Sequence, residues 1–134
     1  MQAIQSNAIA HPSTAGHSFI KLSVIYLIVG ISIGMFMGAN HNFTLRPVHA
    51  HINLIGFVTL ALSGLLYSLF PTLGTSKLSR VHFWMMNLSL PFMMLGLAGI
   101  LLGYQQFLPV RIVAEFVLAG SVLAFAANVF LHLK

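Results

Sequence analysis

His49 and His51 stand one residue apart in PVHAHINLIGF (residues 47–57), at the edge of a long apolar run. Imidazole is a good ligand for haem iron, copper or zinc. Pro47 suits the first turn of a helix, where its missing N–H costs nothing, so both histidines fall in the first two turns. At ~100° and ~1.5 Å per residue they point ~200° apart at nearly one level. They cannot both grip one metal from one side, but they can address two different neighbours. An ionisable side chain at membrane depth is a functional hypothesis by default. The plainer alternative is that both rings only hydrogen-bond at the interface. Two imidazoles at one level, with Arg46 beside them, point instead to ligation.

The cations bear on which metal. Arg46 and Arg111 are expected at the same membrane face as the histidines. A haem bound there would turn its propionates to that face, and a guanidinium matches a carboxylate in bidentate fashion. A bare zinc or copper ion would be disfavoured by such neighbours. His49 shares its helix face with Asn53 and Gly56, and the glycine is expected to leave room for a flat macrocycle.

These residues must be carried by membrane helices. Of 134 residues, 58% are hydrophobic and only 5% charged, too few to cover a soluble surface. Four apolar blocks, residues 22–38, 52–70, 83–103 and 112–131, each approach the ~20 residues that a helix needs to cross the hydrocarbon. The alternation of a transmembrane barrel is absent. The expected fold is an all-α integral membrane four-helix bundle over residues 21–134, preceded by a polar tail, 1–20. That tail lacks the apolar core and cleavage site of a signal peptide, and its His11 and His17 read as solvated bystanders. The chain has no cysteine, which excludes disulfides, thiolate metal sites and covalent c-type haem.

The net charge of +5 is spread over helix ends and is no nucleic-acid signal. Lys21, Lys77, Arg80 and Lys134 fall on one side, and Arg46 and Arg111 on the other. This split predicts cytoplasmic N- and C-termini. Glu115, the only acid, follows Arg111 by one turn and is expected to pair with it. Gly30, Gly34 and Gly38 form a small-residue stripe for close packing, either within one protomer or between protomers. Pro91 is expected to kink its helix, and Met85, Met86, Met93 and Met94 to fill the core. Trp84 and other aromatics near helix ends suit interfacial anchoring. Asn53, Asn87 and Asn128 are expected to bond between helices.

VHAHINLIGFVTLALSGLLYSLFP, followed by RVHFWMMNLSLPFMMLGLAGI, resembles the last four-helix section of the haem–copper oxidase catalytic subunit. The shared features are His49-Ala50-His51, then Arg80-Val81-His82-Phe83-Trp84, then Leu95-Gly96-Leu97-Ala98-Gly99. Arg46-Pro47-Val48-His49 is similar to the haem-ligand helix of the nitric oxide reductase branch. The match spans about residues 46–103. It implies that His49 and His51 hold haem, and that His82, which matches a family histidine outside the ligand set, is structural. The family subunit has twelve helices in three arcs; this chain is one arc. It lacks the section that supplies three histidines to copper and the cross-linked tyrosine motif, so the likeness implies a redox carrier rather than an oxygen reductase.

Three copies would rebuild a twelve-helix ring, and closed cyclic symmetry is the common solution for identical chains. His51 of one chain would then face His49 of the next, with a b-type haem clamped between them; a dimer is the competing geometry. The expectation is a homo-oligomeric b-haem protein of a bacterial cytoplasmic membrane, in lipid and with a redox partner, serving electron transfer or redox sensing. One alternative is a copper- or zinc-binding membrane protein using the same histidines. The other is a cofactor-free assembly subunit of a respiratory complex.

Overall fold

Inside hydrocarbon, no water is available to bond a free amide, so an apolar segment satisfies its backbone internally as a helix. The computed structural model describes residues 14–133, and among them the regular elements are all helical. They are α1 (Thr14–Asn40), α2 (Arg46–His51), a π-helical segment (Ile52–Thr59), α3 (Leu60–Leu69), α4 (Pro71–Gly74), α5 (Lys77–Leu101), a 3-10 turn (Gln105–Phe107) and α6 (Leu108–His132). The second, third and fourth form one continuous span. Four spans are long and apolar enough to cross a membrane: Ala15–Asn40, Arg46–Leu69, Lys77–Leu101 and Gln105–His132. The chain is therefore a multi-pass, all-α membrane protein.

α1 begins at Thr14, inside the segment expected to be tail. Its polar start is held by tertiary contact rather than by propensity. Gly16 packs on Gly64 and Ser68, and the Phe19 ring inserts among Tyr67, His82 and Phe83. His17 is exposed on this first turn, as a bystander would be, whereas His11 and Lys134 lie outside the described residues.

The ends of the spans follow local chemistry. α1 and α5 both close with a residue in the left-handed region. After α1, His41 (φ 51) donates to Gly38 O, and Asn42 N donates to Met37 O. After α5, Gly103 (φ 94) donates to Ile100 O, and Tyr104 N donates to Gly99 O. Both are Schellman closures, and only the second uses the residue that adopts this backbone without strain. Pro71 keeps Phe70 extended (φ −118, ψ 89) and so ends α3. Ser76 then caps α5, its Oγ accepting from Ser79 N at 3.0 Å.

The spans pack most closely as two hairpins: α1 against the second span, and α5 against α6. α5 stays helical through Pro91. Met86, Met93 and Met94 are buried in the core, and Met85 packs on Gly120, as expected of adaptable filler. Large apolar side chains nonetheless ring the outside, among them Met35, Phe92, Phe116, Leu123 and Phe130, the last 87% exposed. Water would not tolerate so continuous an apolar surface; lipid does.

Candidate functional site

The His49 ring is seated between α2 and α1. Its Nδ1 donates to Gly30 O at 2.8 Å. A Cβ on Gly34 would stand only 2.9 Å from His49 Cε1, so the ring lies directly on that glycine. Two members of the glycine stripe thus serve packing within one protomer: Gly34 receives His49 and Gly30 receives the Asn53 side chain. A Cβ on Gly38, the third, would meet nothing within 4 Å.

His51 is held differently. Its Nδ1 donates to Pro47 O, one turn back on its own helix, at 2.7 Å. A carbonyl oxygen only accepts. Each neutral imidazole therefore carries its proton on Nδ1 and its lone pair on Nε2.

Asn53 lies one turn beyond His49. Its amide donates to His49 O at 2.9 Å and passes both ring nitrogens at 3.3 and 3.4 Å. It therefore bonds within its own span, where an interhelical bond was expected. Asn87 likewise donates to Phe83 O on its own helix. Asn128 alone of the three crosses, donating to Leu73 O and accepting from Ser76 Oγ.

Immediately after His51 the backbone enters the π-helical segment, Ile52–Thr59. Such i→i+5 stretches are rare and frequent at functional sites. Thr59 Oγ1 donates back five residues to Leu54 O, consistent with the wider turn. The sequence carries no clear signal of it: the segment is apolar on every face, so periodicity says nothing. Asn53, an amide four residues after the ligand candidate, is the one hint that a carbonyl there is served by a side chain. Gly56 sits in this segment, but the room expected for a macrocycle is taken. A Cβ there would lie 2.7 Å from Tyr26 Cγ, so the glycine accommodates a tyrosine of α1.

The two arginines stand at the same end of the bundle as the histidines, at the starts of α2 and α6. Arg46 is exposed, its guanidinium 5.3 Å from the Phe43 ring centre. Arg111 pairs with Glu115, Nε to Oε1 at 2.7 Å, the pair expected from their spacing. Its Cβ rests on Gly96. Among the described residues no cluster of three or more His, Cys, Asp or Glu side chains offers a metal site within one chain.

His82 lies toward the opposite end, 1% exposed. Its Nδ1 and the Tyr67 hydroxyl are hydrogen-bonded at 2.8 Å. Its ring centre is 4.9 Å from that of Phe19 and 5.0 Å from that of Phe125. A cavity of about 410 Å³ opens at that end beside Ser76, Ser79 and Arg80. Its hydroxyls already donate within the protein, Ser76 to Asn128 Oδ1 and Ser79 to Gly74 O. A second, apolar hollow of about 580 Å³ lies between α5 and α6, at Phe92, Val113 and Val117, on the lipid-facing surface. Neither is lined by His49 or His51.

No family model matches the chain, and no curated protein or solved structure matches it either.

Proposed function

We propose that this protein binds b-type haem in a bacterial cytoplasmic membrane, using His49 and His51 from different copies of the chain as the two axial ligands. One observation carries the proposal. Both imidazoles have Nδ1 committed to a backbone carbonyl, which leaves Nε2 as the ligating atom on each. This is the arrangement that orients metal-bound histidines and raises their basicity.

The donor set favours haem over a bare ion. Zinc needs three or four protein ligands. A porphyrin brings four nitrogens of its own, so two imidazoles complete the iron. Two histidines one residue apart on one helix cannot stand on opposite faces of a single macrocycle. The site is thus incomplete without a second copy, and a ring of three chains repeats it at every interface. Arg46 would hold a propionate, and Arg111 would join it with the guanidinium nitrogens that Glu115 leaves free. A haem with both axial positions filled supplies one-electron transfer between ferric and ferrous iron. His49 and His51 orient it, and the lipid-facing helices keep water from it. The cation distribution along the spans supports termini on the cytoplasmic side.

The test is purification in detergent with an optical spectrum and a mass measurement. The expected result is red protein with a Soret band, sharp reduced bands of bis-histidine b haem, and a mass of three chains. His49→Ala and His51→Ala should each abolish the low-spin spectrum, and His82→Ala should leave it. Colourless protein carrying copper or zinc would replace haem by those metals. Colourless, metal-free protein that co-purifies with a larger complex would make it an assembly subunit.

A further inference from the structure

We propose that Asn53, with Gly30 and Gly34, positions His49 so that Nε2 is its only ligating nitrogen before any metal arrives. This rests on the haem-binding reading for its purpose but not for its geometry. A free neutral imidazole exchanges its proton between two nitrogens and rotates about its side-chain torsions. At His49 three contacts remove both freedoms.

The Gly30 carbonyl accepts at 2.8 Å and so places the proton on Nδ1. Gly34 supplies the floor: with a Cβ 2.9 Å from Cε1, any larger residue would push the ring off the Gly30 carbonyl. Asn53 supplies the latch. Its amide donates to His49 O at 2.9 Å, at the junction where the α-helical turn gives way to the π-helical one. That bond fixes the main chain from which the ring hangs. The same amide lies at 3.3 and 3.4 Å from the two ring nitrogens; with Nδ1 protonated, only Nε2 can accept from it, which reinforces that tautomer. Gly30 is also needed on the far side, because a Cβ there would come within 2.5 Å of Asn53 Oδ1 and expel the latch.

His51 has no such seat. Its Nδ1 bonds a carbonyl of its own helix, not of a neighbouring one. The two ligands are therefore held differently: His49 is braced against a second helix, and His51 is oriented by its own.

The experiment uses the full chain without haem, its histidines labelled with ¹⁵N, at alkaline pH. Signals are assigned with His49→Gln and His51→Gln. The expected wild-type result is a single Nδ1–H tautomer at His49. Gly34→Ala and Asn53→Leu should give mixed tautomers there, and should weaken haem binding in titration by about 10- to 100-fold. Gly38→Ala, where a Cβ meets open space, should keep the wild-type spectrum and affinity. An Nε2–H tautomer at His49 in the wild-type protein overturns the proposal without recourse to any variant. So does an unchanged tautomer in both Gly34→Ala and Asn53→Leu, or a Gly38→Ala effect as large as theirs. If the wild-type chain takes up no haem, the haem-binding reading falls, while the tautomer measurement still decides the positioning.

Discussion

His82 and His51 both hydrogen-bond through Nδ1, yet one bonds a side chain inside a sealed aromatic cluster and the other a carbonyl of its own helix at a half-exposed edge. Around His82 of α5, rings from α1, α3 and α6 converge, and the neighbouring Asn128 ties α6 to the Leu73–Ser76 connection. Around His49 and His51 the closest partners are main-chain carbonyls of α1 and α2, with the Asn53 amide beside the His49 ring. A ring whose polar bond and faces are shared with three other helices stabilises the fold that surrounds it. A ring steered by carbonyls keeps one nitrogen for something else. The difference separates a histidine that builds the bundle from two that the bundle presents.

That contrast can be broken by stability measurements on the haem-free protein. The largest effect is expected for His82→Ala, which opens a cavity among Phe19, Tyr67 and Phe125 and should cost about 2–4 kcal/mol in reversible unfolding. His51→Ala, measured in the same way, should cost less than about 0.5 kcal/mol. Equal losses would erase the distinction. Tyr67→Phe sharpens the comparison by keeping the ring and deleting the hydroxyl bonded to His82. It should cost about 1 kcal/mol, read as a lowered unfolding midpoint, and should leave the His49 tautomer unchanged. A comparably small effect is expected from the ion pair at the His49 end. Glu115→Gln removes a pair whose side chains are 33% and 39% exposed, and should cost only about 0.3–0.5 kcal/mol, diminishing further in salt.

Much of the architecture was readable because lipid imposes a simple rule. Long apolar blocks became spans, and Arg111 met Glu115 at one-turn spacing. The start of α1 was not readable, because Thr14–Ser18 is polar and owes its helix to what Gly16 and Phe19 touch. Sides of helices were hidden for a related reason. In a span that is apolar all round there is no stripe from which to infer a partner, so nothing foretold that Gly34 would floor the His49 ring or that Gly56 would receive Tyr26. The spacing of His49 and His51 indicated diverging directions. That both rings would anchor through Nδ1 depended on carbonyls of Gly30 and Pro47, and backbone acceptors leave no mark in a sequence.

The π-helical stretch carries a consequence for how the second span can change over time. Ordinarily, losing one residue from a membrane-crossing helix rotates everything beyond it and mismatches every neighbour. A segment already wound with a surplus residue per turn can surrender one, tighten into regular α-helix, and leave the flanking contacts, Tyr67 with His82 on one side and His49 with Gly30 on the other, in their original orientation. Ile52–Thr59 is thus a built-in reserve of length, set beside the very residues whose aim matters most.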